Sequence, residues 1–317
     1  MYQEPIFLEP AFKKRIWGGN KLQTLFGYAI PNDLTGEAWV ISAHRNGPSI
    51  IKNGLLQGDS LVQAWLEHPL LFGKETTEGD FPLLVKILDA NDNLSVQVHP
   101  DDEYARKVED EPYGKTECWY VLDCEQGSEI IFGHHADSQE DFKRKVDASE
   151  WDDLLVRVPV KKGDFFYVPS GTIHAIGKGI VILEIQQSSD ITYRVYDYDR
   201  KDAEGNARDL HIQPALDVTN YPHSSDSLKK VEKTIDDLVT TQLAKEQYFT
   251  VYHWKLTGNV LTPLRANYLL VSVVNGRGEI TVNDRSFPLK KGDNFIFPGT
   301  ITSYEIEGDL EMIVSHE

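Results

Sequence analysis

The stretch KKGDFFYVPSGTIHAI, from Lys161 to Ile176, returns near the C-terminus as KKGDNFIFPGTITSYEI, from Lys290 to Ile306, with one residue fewer between the proline and the threonine. Each copy joins a Gly-Asp hairpin turn, an aromatic and aliphatic strand, and a turn set by proline. A unit of that kind cannot bury its apolar face alone, so the repeat calls for two related β-rich units in one chain. The alignment places Thr302 where His174 stands. The second copy therefore keeps the residues that serve folding and lacks the imidazole, which marks it as a structural partner or support.

The remaining chain agrees. WVISAH, PSIIKNG, PLLVKILDA, LSVQVHP, IIFGHH, LLVRVPV, DFFYVPS and GIVILEIQQ are short runs of strand composition separated by Gly, Pro, Asn and Asp, as in a barrel or sandwich. NYLLVSVVNGRGEITVNDRSF reads as a meander with turns at Asn275-Gly276 and Asn283-Asp284. Helical patches are few. Ser60 to Phe72 carries Leu61, Ala64, Trp65 and Leu66 on one side, with Asp59 as N-cap and Gly73 as stop. Asp101 to Val108 and Ser138 to Val146 also open on capping residues. The expected fold class is all-β, two tandem barrels with a few short covering helices. The mixed-charge stretch from His223 to Asp237 is the expected linker. Near Thr240 the chain should divide into a catalytic domain, residues 1–240, and a degenerate domain without metal ligands, residues 241–317.

A formal charge of -18 excludes non-specific binding to nucleic acid or to an anionic membrane surface, both of which need clustered cations. An anionic small molecule would also be repelled at long range. A site for one must rely on local cations acting within about 8 Å. MYQEPIFLEP lacks a basic leader followed by an apolar core, and no stretch approaches a membrane span. A soluble, unprocessed cytoplasmic protein is expected, with oligomeric state open and a monomer compatible. Cys118 and Cys124, the only cysteines, read as buried free thiols on one strand face. The adjacent His134 and His135 read as a solvated turn.

Four side chains form a candidate metal set. In LSVQVHPDD, Leu94, Val96 and Val98 alternate with Ser95, Gln97 and His99, so Gln97 and His99 share one strand face. Lys115 and Glu117 repeat that spacing ahead of the apolar run Trp119 to Leu122. His174 follows the turn of Pro169, Ser170 and Gly171. A β-barrel can bring the three stretches together. Two imidazoles, one carboxylate and one amide oxygen suit a divalent Lewis acid. The competing reading of Glu117 is a structural ion pair with Lys115.

QVHPDD, GKTECWYVL, PSGTIHAI and SSDITYR together resemble the short bacterial form of type I mannose-6-phosphate isomerase, a zinc-dependent family of the cupin superfamily, and so do the WGG of Trp17 to Gly19 and GEAWVISAHRNGPS. The resemblance runs from about residue 10 to about residue 215, and the repeat extends it to the end. It implies cupin-like jelly-roll barrels, one Zn2+ per chain held by Gln97, His99, Glu117 and His174, and catalytic roles for Lys115 and Arg194. It further implies a substrate pocket including Trp17, Glu37, Lys86, Glu184 and Asp190, and the substrate pair mannose 6-phosphate and fructose 6-phosphate. The segment between Glu117 and His174 is too short for the helical domain that longer family members insert there.

Such a site suits aldose-ketose isomerisation through a cis-enediol or its anion, because zinc balanced by a single carboxylate keeps positive charge for the developing oxyanion. The proton-transfer group is open among metal-bound hydroxide, Lys115, Glu184 and Asp190. Lys115 beside zinc should have a depressed pKa. Asp190, Thr192 and Arg194 share a face under simple alternation, so Asp190 can orient Arg194 or compete for it. Two other functions remain. His99, Glu117 and His174 alone match the facial triad of non-haem iron oxygenases, and a non-catalytic sugar-phosphate-binding cupin would use the same fold.

Overall fold

The structure, a computed structural model, describes residues 2–201, 204–224 and 228–317. The expected all-β class holds: the chain is mostly antiparallel strand, arranged in three sheets. The first sheet has six strands, ordered Phe165–Val168, Glu117–Cys124, Ile180–Gln187, Leu83–Ala90, Thr35–Ser42 and Ala11–Gly19. The second has five, ordered Tyr193–Tyr196, Val96–Val98, His174–Ile176, Glu129–His134 and Leu155–Pro159. The third has nine and is built around the long strands Thr250–Pro263, Ser303–His316 and Leu269–Val282.

Side-chain alternation explains how these layers stack. In Ile180–Gln187, Ile180 and Ile182 join a core with Ile130 and Ile176 of the five-stranded sheet. Val181, Leu183 and Ile185 point the other way, into a core shared with Leu270, Ile296 and Ile313 of the nine-stranded sheet. The six-stranded sheet is thus covered on both faces, and its central strands are buried at every residue. Short helices, Gln139–Asp147 and Ile212–Val218 among them, cover the far side of the five-stranded sheet through Phe142, Ala215 and Leu216. The C-terminal core, with Trp254, Phe295, Phe297 and Met312, comes wholly from one sheet and its turns, so that sheet curls over its own apolar face.

The two repeat copies make the same turn atom for atom. Asp164 Oδ2 accepts from the Lys161 amide at 2.9 Å, and Asp293 Oδ2 from the Lys290 amide at 2.8 Å. Gly163 and Gly292 hold φ of +89° and +94°, where a Cβ is disfavoured. Gly163→Ala and Gly292→Ala are each expected to lower stability by about 1–2 kcal/mol. Gly292→Ala should cost more, because its Cβ would lie 2.9 Å from the Phe26 carbonyl oxygen whereas nothing approaches Gly163 closer than 3.9 Å. Urea midpoints measure this, and unchanged midpoints would contradict the shared-turn reading.

Several local expectations are corrected. The cap of the first covering helix is Ser60, which forms a full capping box with Gln63. The helix ends at Glu67 because Pro69 starts a 3-10 turn, and Leu66 is exposed. Asn275-Gly276 lies inside the strand Leu269–Val282, just past a bulge at Val274, and is not a hairpin turn, since both residues stay paired with the partner strand and the pairing continues beyond them. Asn283-Asp284 does turn, with both residues at positive φ. Cys118 and Cys124 face opposite layers, because a bulge between Val121 and Asp123 reverses the alternation. His134 is buried, with Nε2 3.0 Å from the Asn220 carbonyl oxygen; only His135 is solvated. In the expected linker, Val231–Ile235 is an edge strand, while residues 225–227 lie outside the described residues. The boundary at residue 240 falls within the strand Leu238–Lys245, and Ile6–Glu9 and Ile50–Ile51 also belong to the nine-stranded sheet. We therefore propose the split into 1–240 and 241–317 as a division of labour, metal site against support.

Candidate active site

Sheet register assembles the site. His174 is the cross-strand partner of Gln97, and Arg194 on the next strand is partnered with the same Gln97. From the facing sheet come Glu117 and a row in which Trp119 pairs with Glu184, Glu184 with Lys86, and Lys86 with Trp39. These residues are in phase with Leu88, Val121 and Ile182 of the sandwich core. The polar set is therefore the continuation of an apolar inner face at one end of the sandwich.

His99, Glu117 and His174 are buried, and one potential ligand atom from each lies within 4.8 Å of the others. Nε2 of His99 is 3.6 Å from Glu117 Oε2, and Nε2 of His174 is 3.5 Å from Glu117 Oε1. The amide end of Gln97 lies 3.4 Å from His174 Nε2. A half-turn of that amide presents its oxygen at the same point.

The donor chemistry fits a metal. Nδ1 of His99 lies 2.7 Å from the Ile191 carbonyl oxygen and Nδ1 of His174 2.9 Å from that of Thr172. Each carbonyl fixes the proton on Nδ1 and leaves the Nε2 lone pair directed at the cluster, the usual support for a metal-binding histidine. Burial keeps both rings neutral, with His99 well below the usual imidazole range and His174 down to about 4. Oε2 of Glu117 accepts no well-directed hydrogen bond and is balanced by the Lys115 ammonium 2.9 Å away.

Above this floor lies a cavity of about 550 Å³. Gln97, Lys115, Trp17, Glu37, Lys86, Glu184, Asp190 and Arg194 all line it, so the structure brings together every residue singled out in the sequence. Burial would raise the Glu37 carboxyl, but Lys86 and Arg15 outweigh it and hold it at about 2. Burial and then Glu117 push Glu184 up, while burial pulls Lys86 down against the attraction of Glu184, 3.5 Å away. For Lys115 burial acts downward, and Glu117 and Glu184 outweigh it. The depression expected for Lys115 presupposes a neighbouring zinc ion; the protein's own carboxylates raise it.

One contact is corrected. Asp190 does not hold Arg194: it accepts from Asn46 Nδ2 at 2.7 Å, because the strand begins only at Tyr193 and alternation does not reach back to Asp190. The fork of Arg194 is tethered instead by Nε to Ser95 Oγ at 3.3 Å and by a terminal nitrogen to the Asp209 carbonyl oxygen at 2.8 Å.

Sequence reasoning missed Lys14, Arg15 and Arg208 in the cavity wall. Arg15 is gripped by both oxygens of Glu37, and Arg208 by both oxygens of Asp197. The basic run KKR before WGG signalled Arg15; nothing local singles out Arg208. Together with Arg194 they supply the local positive charge that an acidic chain needs to accept an anion.

An antiparallel β-sandwich with a buried His/Glu/His group that could hold a metal ion, under a cation-walled cavity, defines a candidate metalloenzyme site. Residues 6–131 match the family described as phosphomannose isomerase type I, catalytic domain, and residues 239–317 the mannose-6-phosphate isomerase cupin domain. The mannose-6-phosphate isomerase of Streptococcus mutans is 53% identical over 99% of this chain and 98% of its own length. That of Bacillus subtilis is 50% identical over the full length of both. A crystal structure of the mannose 6-phosphate isomerase from Bacillus subtilis, 44% identical, superposes with a TM-score of 0.97 over 99% of this chain and 100% of that one. The chain belongs to the type I mannose-6-phosphate isomerase family.

Proposed function

We propose that the protein interconverts mannose 6-phosphate and fructose 6-phosphate with one zinc ion held by Gln97, His99, Glu117 and His174. The observation that carries this is the buried His/Glu/His cluster with both Nδ1 atoms fixed by carbonyls, beneath a cavity with Lys14, Arg15, Lys86, Lys115, Arg194 and Arg208 in its wall. The relatives are named for mannose 6-phosphate, and the family resemblance implies fructose 6-phosphate as its isomerisation partner. Bound zinc would act as Lewis acid, polarising the carbonyl and stabilising negative charge on the enediolate.

The chain's own residues do the rest. Lys14, Arg15, Arg194 and Arg208 receive the phosphoryl group and the sugar oxygens. Glu184 and Lys86 are pushed in opposite directions within one pair, the arrangement that lets a proton move at low cost. Both face the cavity, so we assign them the proton transfer between adjacent carbons, with Lys115 supporting the developing charge. Gln97 beside His174 argues against the oxygenase reading, since it fills a position that oxygen would need. Among the described residues no helix is long and apolar enough to cross a membrane. Both thiols are free, which suits a reducing cytoplasm.

The test is direct. Protein stripped with chelator should form no fructose 6-phosphate from mannose 6-phosphate and should recover on adding Zn2+. Undiminished turnover after verified stripping would overturn the metal-dependent reading. Binding of sugar phosphate without any turnover would favour the non-catalytic alternative.

A further inference from the structure

Two strands of the six-stranded sheet carry the same three-residue unit, Glu37-Ala38-Trp39 and Glu117-Cys118-Trp119. In each, the indole reaches back along its own strand face to the carboxylate two residues earlier. Trp39 Nε1 donates to Glu37 Oε2 at 2.6 Å, and Trp119 Nε1 to Glu117 Oε1 at 3.0 Å. The period of two puts carboxylate and indole on one side of the sheet. The side is the inner one both times, because Trp39 and Trp119 flank Lys86 and Glu184 in the cross-strand row.

The two indoles hold different cargo. Glu37 grips Arg15 with both oxygens, at 2.7 and 3.3 Å. Glu117 faces the two imidazoles, and the Trp119 ring meets the His174 ring edge-on with centroids 5.3 Å apart. Trp119 also donates to Glu184 Oε2 at 3.1 Å, so one N–H serves two buried carboxylates. Trp39 instead lies under the Lys86 ammonium, 5.0 Å from its ring. The neighbours of Trp119 in the sandwich core are apolar, Val121, Ile182 and its strand partner Phe166 among them, so filling space would require only an apolar side chain. An indole adds the single donor that both carboxylates face.

We infer that the two Glu-x-Trp units are separate clamps, in which Trp119 is a positioning residue for the metal ligand Glu117 and for Glu184, while Trp39 is a positioning residue for the substrate-gripping Arg15. The inference rests on the zinc-dependent isomerase reading and adds to it a division of control. Removing the Trp119 donor leaves Glu117 Oε1 and Glu184 Oε2 without the hydrogen that holds them side by side. Removing the Trp39 donor frees Glu37 to turn and loosens Arg15.

Trp119→Phe and Trp39→Phe test this. Each keeps an aromatic ring and deletes the N–H. For Trp119→Phe, zinc affinity measured by chelator competition should fall about 10- to 100-fold, the range for losing an outer-shell partner of a metal ligand. Its kcat should fall, with KM for mannose 6-phosphate near that of the parent. For Trp39→Phe, zinc affinity should be that of the parent and KM should rise about tenfold, the order of one hydrogen bond to a charged group. A purely packing role predicts lower melting temperatures of the zinc-free proteins and no such split. Parent-like zinc affinity in Trp119→Phe, or equal zinc loss in both variants, overturns the inference. A parent protein that holds no zinc overturns instead the reading on which it rests. Should either phenylalanine variant fail to fold, β-(3-benzothienyl)alanine at that position keeps the indole shape without the N–H, and the same outcomes apply.

Discussion

His99→Ala is expected to abolish zinc retention and isomerisation together. The ring it removes is 1% exposed, and its Nδ1 is already committed to the Ile191 carbonyl oxygen, so Nε2, 3.1 Å from the Lys115 ammonium and 3.6 Å from Glu117 Oε2, is the nitrogen left for a metal. Affinity should fall by more than the roughly 100-fold that follows loss of an outer-shell partner, because a donor itself is gone. Glu117→Ala should have the same effect on zinc but is the less clean experiment. It strips the Lys115 ammonium, 5% exposed, of its counter-ion at 2.9 Å. An uncompensated buried charge costs about 3–5 kcal/mol, so the variant risks unfolding for reasons unrelated to the metal. Zinc content by atomic absorption and turnover of mannose 6-phosphate, measured on the same His99→Ala preparation, decide the matter. A variant that is fully loaded and fully active would remove His99 from the ligand set.

Strand periodicity carried the metal floor a long way. Gln97 and His99 sit two apart on one face, Glu117 precedes an apolar run, and His174 follows a proline turn, so each donor's direction was legible from neighbours within a few residues. What local pattern cannot contain is register. That Glu184 lies between Trp119 and Lys86 depends on pairing three strands whose separations along the chain are long, and Glu184 and Lys86 entered only through the family resemblance. Bulges defeat periodicity outright: one extra residue in Glu117–Cys124 sends Cys118 and Cys124 to opposite layers, and another, Val274, sits just ahead of Asn275-Gly276, an apparent hairpin turn that stays paired inside one strand. Arg208 was invisible for a different reason. It reaches the cavity from a loop and is held there by Asp197, a partner whose relevance only the folded chain shows.

Arg194→Lys should keep zinc and lose most turnover. The guanidinium is fastened at two points, Nε to Ser95 Oγ and a terminal nitrogen to the Asp209 carbonyl oxygen, while its strand neighbour is Gln97 of the metal floor. A lysine carries the same charge but cannot satisfy both tethers and still present a planar fork, so the charge would wander within the cavity. If Arg194 steadies the enediolate, kcat should drop by roughly 100- to 1,000-fold, the effect of deleting one preorganised donor to a developing oxyanion, with KM little changed. If it grips the phosphoryl group in the ground state and the transition state alike, KM should rise while kcat stays near that of the parent. We expect the first pattern, because the register places Arg194 beside Gln97 and so close to where the sugar oxygens would meet the proposed metal site, with Arg15 and Arg208 left for the phosphoryl group. Steady-state kinetics on zinc-saturated protein separate the two. Parent-like kcat and KM together would make the arginine a structural tie between the strand Tyr193–Tyr196 and the loop at Asp209, with no part in the chemistry.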